Sequence, residues 1–385
     1  MIKIKNICII CYGYPSEKRM INTFIEDLVN KFCDNDINCY VISPQSITKS
    51  LIRKIKINKK FYYRYNDKIP VYSPLFLSFS NKNRFSNKIN IICFHHAVSK
   101  VFKRIYKEVK IDAIYSHFIY PSAISANKIG KKYNIPVFLG YGESGDYTIN
   151  YLGENKTKEL LEGIKGTICV STDNRNRLIN HNFFSKEDIC TLPNCVNNDK
   201  FYKKDKIECR KKLGINIEDF VLIFVGRYVP IKGIKELCTA LNEINNKNIK
   251  AIFVGEGSLK PNYNYTIYEG MVDHDKLVDY LCASDIFILP TKGEGCSNAI
   301  LEALACGLPI ISSNKSFNDD IIDDNCSIRI DTNNINEIKN AILELYKNKE
   351  LRIKLSRNSL KQSKKFNLND RAKNIIKFME DKIKE

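Results

Sequence analysis

Short runs of consecutive apolar residues alternate with helix-patterned stretches from one end of this chain to the other. Ile7–Ile10, Cys39–Ser43, Ala113–Ser116 and Val137–Leu139 read as strands; Phe24–Phe32, Ser122–Lys132 and Lys156–Gly163 read as helices. Strands apolar at every position, not every second one, are buried on both faces, which predicts a parallel sheet covered by helices. The pattern breaks at Leu192–Phe201, where Pro-Asn-Cys-Val-Asn-Asn-Asp forms a turn-rich connector. A second series then begins, with strands Val221–Val225, Ala251–Val254, Ile286–Leu289 and Ile310–Ser312. Its helices are Ile234–Ile244, Lys276–Cys282, Asn298–Ala305 and Ile335–Lys347, followed by amphipathic Glu350–Lys365 and Asp370–Lys384. The fold class is α/β: two doubly wound, Rossmann-like domains, over 1–192 and 193–365, facing across a cleft with ligands at the strands' carboxyl ends.

Composition narrows the setting. At 385 residues and 44% hydrophobic, the chain has ample material for two cores. No apolar run approaches the roughly 20 residues of a membrane span. Met1–Ile10 reads as a buried strand leading into a turn, not as a cleaved leader, so a cytoplasmic protein is expected. The fourteen cysteines are scattered and read as small core residues. Cys8 and Cys11 form a CxxC, but on a strand such side chains point to opposite faces, which argues against a disulfide or a metal site.

The net charge of +18 is concentrated. Segment 49–110 holds sixteen Lys/Arg against Asp67 and Glu108, interleaved with Phe61, Tyr62, Tyr63, Tyr65, Phe76, Phe79, Phe85 and Phe94. Such a mixture suits the anionic inner leaflet of a membrane. An ordinary solvated face is the plainer reading. Nucleic acid comes last, because no RNP, KH or zinc-finger pattern is present, and no nucleic-acid partner is expected.

Two constellations carry chemistry. Gly226-Arg-Tyr-Val-Pro-Ile-Lys-Gly233 follows an apolar strand and precedes a helix. Arg227 and Lys232, with backbone N–H groups at a helix N-terminus, form a diphosphate pocket. It is not a Walker loop. The second is Glu294-Gly-Cys-Ser-Asn-Ala-Ile-Leu-Glu302-Ala-Leu-Ala-Cys-Gly-Leu-Pro309, in which Glu302 is the only charge on an otherwise apolar helix. A buried carboxylate needs a partner, and a ribose diol or a neighbouring Lys would each supply one. The amides around Cys296, Ser297 and Asn298 can bind an anion or a sugar hydroxyl. A glycosidase pair of acids is disfavoured, since both carboxylates share one helix entrance.

These segments closely resemble family 4 of the retaining glycosyltransferases, which have the two-domain GT-B fold and are known as glycosyl transferases group 1. The second-domain pattern Gly-Arg-x4-Lys-Gly, then Glu-x7-Glu before Ala-x-Ala-x-Gly-x-Pro, is present at every position. Pro193-Asn194-x-Val196, Phe253-Val254-Gly255-x-Gly257, Gly270-x-Val272 and Ala283–Pro290 extend the match. In the first half, His117–Ser122 and the Gly140–Asp146 loop resemble the family's His-containing strand end and Gly-Ser-Asp loop. The loop Gly13–Phe24 lacks the usual glycine and is similar to a subgroup found in polysaccharide assembly.

The resemblance implies a hexosyl transfer from a nucleotide-diphosphate sugar, UDP favoured, onto a glycan or polyprenyl-linked acceptor in cell-surface polysaccharide biosynthesis, such as lipopolysaccharide or capsule. It implies peripheral attachment at the inner face of the cytoplasmic membrane, no cofactor beyond the donor and no metal. Asp34-Asn-Asp36 sits in a turn and is not read as a metal motif. Arg227 and Lys232 would neutralise the diphosphate, and Glu302 would take the ribose hydroxyls. Glu294, with Cys296, Ser297 and Asn298, would hold the donor sugar, and Val272 would meet the base. Gly13 is assigned to the donor side, and Tyr14, Glu143 and Asp146 to the acceptor side. His117 would position the transferred sugar, a satisfied core histidine being the other reading. The last helix, within 366–385, would pack back toward the first domain. A catalytically silent nucleotide-sugar-binding subunit and a GT-B sugar-nucleotide epimerase are the alternatives.

Overall fold

Alternation along the first strand divides the core of the N-terminal half. In β1 (Asn6–Ile10), Cys8 and Ile10 enter one apolar cluster while Ile7 and Ile9 enter another on the opposite face, where Cys11 also lies. The two thiols of the CxxC therefore sit on different sides of one sheet, and all fourteen cysteines are free. The computed structural model describes residues 3–17, 21–52, 54, 56–80 and 84–385. Lys18, Arg19 and Met20 of the first loop, and Arg53 and Lys82 of the basic segment, lie outside the described residues. The chain forms two compact units, Met1–Leu192 with Leu368–Glu385, and Pro193–Asn367.

The first unit continues with α1 (Thr23–Asp34), β2 (Asn38–Ile42), β3 (Gln45–Ser46), α2 (Ile47–Ile52), β4 (Phe61–Arg64), β5 (Ile69–Tyr72) and β6 (Leu75–Phe76). Then come the 25-residue α3 (Arg84–Glu108), β7 (Ala113–His117), α4 (Ile124–Tyr133) and β8 (Val137–Tyr141). Next follow α5 (Tyr147–Leu152), α6 (Glu154–Leu161), β9 (Gly166–Cys169), α7 (Thr172–Asn180) and β10 (Ile189–Thr191). Eight strands form one sheet in the order β10-β9-β8-β7-β1-β2-β5-β4, parallel except for the β4–β5 hairpin at its edge. Because β2 lies on one side of β1 and β7 on the other, the topology switches between β1 and β7, where a doubly wound sheet opens a crevice. The closing helix α14 (Leu368–Lys384) belongs to this unit: Ala372, Ile375 and Met379 join Ile25, Leu28 and Phe32 of α1 in one cluster.

The second unit holds α8 (Lys206–Leu213), β11 (Phe220–Val225), α9 (Ile234–Ile244), β12 (Ile249–Val254), β13 (Thr266–Gly270) and α10 (Leu277–Ala283). After these come β14 (Ile286–Leu289), α11 (Asn298–Ala305), β15 (Ile310–Ser313), β16 (Ser327–Ile330), α12 (Ile335–Lys347) and α13 (Lys349–Ser363). Its six strands are all parallel, in the order β13-β12-β11-β14-β15-β16. The switch falls between β11 and β14, both fully apolar strands buried in a single cluster. No helix among the described residues is long and apolar enough to cross a membrane.

Candidate active site

At the β11/β14 switch, two loops distant in sequence are bonded together. The chain leaves β11 through Gly226 and Arg227, makes a short turn over Pro230–Lys232, and enters α9 at Gly233. Gly233 has φ +70°, and a Cβ there would fall 2.0 Å from the Pro290 carbonyl oxygen, so only glycine lets α9 start this close to the end of β14. Lys292 N–H donates to the Ile231 carbonyl at 2.7 Å, and the Thr291 hydroxyl donates to the same oxygen at 3.2 Å. The Lys232 and Gly233 amides are spent inside the turn, donating to Val229 and Pro230.

That clasp brings Lys232 and Glu294 into a largely buried ion pair, with side chains 14% and 12% exposed. Removing either partner would leave a charge stranded in low dielectric. Arg227 is exposed and makes no ion pair among the described residues.

Helix α11 begins beside Glu294. Ser297 is its N-cap, accepting from the Ile300 amide, while the Asn298 Oδ1 accepts from Asn194 Nδ2 at 3.0 Å. By helix geometry the Asn298 and Ala299 amides have no intrahelical acceptor. Cys296 is half-buried just ahead of the cap. One turn on, Glu302 is half-buried and meets His274 Nε2 at 3.1 Å. The partner foreseen for this carboxylate was a lysine or a ribose; the chain itself supplies a histidine. His274 stands on the loop after β13, two residues beyond Val272, and its ring packs edge-on to Phe201 at 5.0 Å. Val272 is half-buried against the core at the mouth of that loop. The only trace of His274 in the sequence was its place next to Gly270-x-Val272.

The loop after β12 is tied down in the same way. A Cβ on Gly255, at φ +148°, would lie 1.9 Å from the Gly226 carbonyl oxygen, and Tyr228 donates its hydroxyl to the Phe253 carbonyl at 2.7 Å.

The first unit's switch is built from other materials. His117 ends β7, is 2% exposed, and lies between Phe24 (ring centroids 5.1 Å) and Phe118 (4.5 Å), with Tyr115 Oη 3.4 Å from Nδ1. Burial, reinforced by the Arg371 charge, lowers its pKa to about 3, so the imidazole is neutral. Gly13, at φ +94°, leads the chain out of β1 toward α1 and donates to Ser43 Oγ. Tyr14 is 3% exposed and packs in the core; its hydroxyl has no hydrogen-bond partner among the described residues. A residue so enclosed does not present itself to an acceptor, so the assignment of Tyr14 to that side finds no exposed surface.

Glu143 follows β8 and is 8% exposed. Its Oε1 accepts from the Ile119 amide at 3.0 Å, and the Thr148 hydroxyl lies at 3.4 Å. Burial raises its pKa to about 7, against the lowering effect of those bonds. It lines a hollow of about 300 Å³ walled by Tyr12, Phe118, Tyr120, Tyr147 and Tyr151. Asp146 stands apart from this hollow, with Arg177 at 3.5 Å and His181 at 3.8 Å. Asp34 is held by Lys31 and Tyr65, and Asp36 occupies a left-handed turn position.

Two doubly wound units follow one another in sequence, and the second carries clasped loops at the carboxyl edge of its sheet. The chain matches the model of glycosyl transferases group 1 over residues 205–362 and that of glycosyltransferase family 4 over residues 21–200. It belongs to the group 1 glycosyltransferases of GT-B fold. It is 27% identical over 304 residues to the putative teichuronic acid biosynthesis glycosyltransferase TuaC of Bacillus subtilis, covering 77% of this chain and 76% of that one. Its fold is shared with sucrose-phosphate synthase of Thermosynechococcus elongatus (TM-score 0.78, 15% identity, 96% and 97% of the two chains). It is shared also with HepE of Anabaena, solved in complex with UDP and glucose (TM-score 0.74, 14% identity, 98% and 99%).

Proposed function

We propose that the protein transfers a hexosyl group, with retention of anomeric configuration, from a UDP-sugar onto a glycan or lipid-linked acceptor in cell-surface polysaccharide assembly, working at the inner face of the cytoplasmic membrane. The observation that carries this reading is the pairing of Lys232 with Glu294 and of His274 with Glu302 at the β11/β14 switch. In it, Lys232 and the exposed Arg227 receive the diphosphate and stabilise the negative charge that grows on the leaving nucleotide. Lys232 then bridges the phosphate and Glu294, whose other lone pairs accept from donor-sugar hydroxyls. Glu302 accepts from the ribose diol, with His274 as a positioning residue behind it. The α11 amides and Cys296 face the sugar, and the backbone near Val272 meets the base. No carboxylate nucleophile is assigned, so the acceptor hydroxyl attacks on the face the nucleotide leaves, and its proton passes to the donor phosphate. The neutral His117 serves as a hydrogen-bonding group and not as an acid. No metal is required.

The naming of TuaC for teichuronic acid biosynthesis and the UDP and glucose held by HepE support the donor and the polymer class. The test is a thermal-shift panel of UDP, GDP, ADP and UDP-sugars with and without EDTA. A ligand at 100 times its Kd adds roughly 2.7 kcal/mol, a clear rise in Tm. An EDTA-insensitive shift with UDP alone is the expected result. A shift with GDP or ADP only would overturn the base, an EDTA-sensitive one the metal-free reading. Product stereochemistry by NMR then reports retention or inversion.

A further inference from the structure

The basic, aromatic segment folds into the edge hairpin β4–β5, strand β6 and helix α3, and these enclose a groove of about 970 Å³. Its walls are apolar: Phe61 and Leu77 on the strand side, Ile92 and Val101 on the helix side. Three of these are unusually open for their type, with Phe61 41%, Leu77 50% and Ile92 62% exposed. Phe76 in its floor meets the buried Phe94 edge-to-face at 5.4 Å.

Of the fifteen large apolar side chains that stand exposed among the described residues, eight fall between Leu51 and Ile92. Three of them, Phe61, Leu77 and Ile92, line this one groove, and clustered apolar exposure marks a docking surface. The rim identifies the occupant. Lys60, Lys100 and Arg104 line the same groove, and none of them makes an ion pair with a described residue, while Glu108 is the one carboxylate present. Lys100 and Arg104 stand one turn apart on α3, between Ile92 and Val101 around the helix, so cations and hydrocarbon line the same groove. A partner protein would need a matching acidic patch. An anionic leaflet offers both complements together, with phosphates at its surface and chains beneath.

We propose that the groove between β4–β6 and α3 docks the first unit on the membrane by taking a hydrocarbon chain of an anionic phospholipid, with Lys60, Lys100 and Arg104 around its headgroup phosphate. The proposal deepens the membrane-face part of the function proposed above and rests on that reading for its biological setting only.

The chain contains no tryptophan, so Ile92→Trp installs a single interfacial fluorophore. The full-length variant is mixed with vesicles of phosphatidylcholine alone or with added phosphatidylglycerol, with no nucleotide sugar present. The expected result is a blue shift with phosphatidylglycerol only, and quenching by lipids brominated on the acyl chain. On the same vesicles, flotation of Lys100→Glu/Arg104→Glu falls roughly tenfold or more, and Leu77→Ser/Ile92→Ser, both at exposed positions, weakens binding while the Tm stays put. Flotation that the serine variant leaves unchanged would overturn the groove, leaving surface charge alone. So would absence of binding to either vesicle, or tighter binding to duplex DNA with a steep salt dependence. Loss of vesicle binding with an intact UDP thermal shift sinks this proposal alone; vesicle binding without any nucleotide shift sinks the donor reading alone.

Discussion

The two units share one architecture and use opposite chemistry at the same point of it. Each is doubly wound, and each has its switch at the carboxyl end of its first strand. In the second unit that point is filled with polar groups held by each other: Lys232 in an ion pair with Glu294, and the Glu302 carboxylate against the His274 imidazole. In the first, burial pushes the groups at the strand ends toward their neutral forms. His117 is pushed down to about 3 and Glu143 up to about 7, among aromatic rings. Paired charges are cheap to re-partner with an anionic ligand, because the desolvation is already met by the protein. Neutral hydrogen-bonding groups in an aromatic setting suit a neutral hydroxylated ligand instead. The difference teaches that topology sets where a site forms, and side-chain pairing sets what kind of molecule it suits.

The sharpest way to break this contrast is at its most charged point. Lys232→Ala removes the cation and strands Glu294, and kcat/KM in a transfer assay should fall roughly 10²- to 10³-fold, about 2.7–4 kcal/mol of transition-state stabilisation. Glu294→Ala should cost a similar factor, and the double variant little more than either alone, since the two act as one unit. Turnover within a few-fold of the unmodified protein would show that the pair is structural only.

The next effect tests the depolarised side and reads stability in place of activity. Burial keeps Glu143 protonated to about pH 7, whereas the unfolded carboxyl titrates near 4.5. Across that window the native state holds more protons than the unfolded one, so this group's contribution is full below 4.5 and is lost as pH rises through 7. His117 runs the other way: its ordinary value of 6.5 drops to about 3, so its contribution is full above 6.5 and is lost as pH falls. The two slopes oppose each other between pH 4.5 and 6.5, and only single variants separate them. In urea titrations, Glu143→Gln should gain on the unmodified protein by as much as about 3 kcal/mol between pH 5 and 8. His117→Gln should flatten the acid limb. A difference independent of pH would mean these groups are not charge-neutralised by their surroundings.

Smaller effects sharpen the second unit's pairing. His274→Ala leaves Glu302 in place without its partner, and the donor KM should rise about tenfold, or 1.4 kcal/mol, with kcat nearly unchanged. An equal fall in kcat would make His274 more than a positioning residue. Asn194→Ala removes the bond to Asn298 at the start of α11, with an expected loss near 1 kcal/mol in the denaturation free energy. Urea unfolding at one pH is enough to measure it.

Much of this was legible in the residues themselves. The strand Ile286–Leu289 and the helices Ile234–Ile244, Asn298–Ala305 and Ile335–Lys347 stand at the limits their patterns predict. Each is bounded by a local signal, such as the Ser297 cap or the Gly307-Leu-Pro stop. Segment 49–110 was legible only as charge and aromatics. Its hairpin, its short strands and the long helix α3 carry no clean period, since Lys, Asn and Ser interrupt the apolar positions, and packing against β6 and α4 decides them. Glu302 needed a partner on chemical grounds alone, yet nothing local names His274, 28 residues away. Tyr14 and Glu143 were assigned to the acceptor side by resemblance, and the depth at which each lies, 3% and 8% exposed, is not legible in a sequence.

What the sequence by itself determined is the class of architecture and the inventory of the second unit's site: continuous apolar strands predict a doubly covered parallel sheet, and the glycines at 226, 233, 255 and 257 belong to the motifs of its loops. What only the tertiary structure decided is who partners whom. Lys232 and Glu294 are 62 residues apart, and they meet because Gly233 lets α9 start against Pro290. The state of His117 and Glu143 was likewise decided by depth, because a pKa follows the solvent and charges around a group, and those are set by elements far away along the chain.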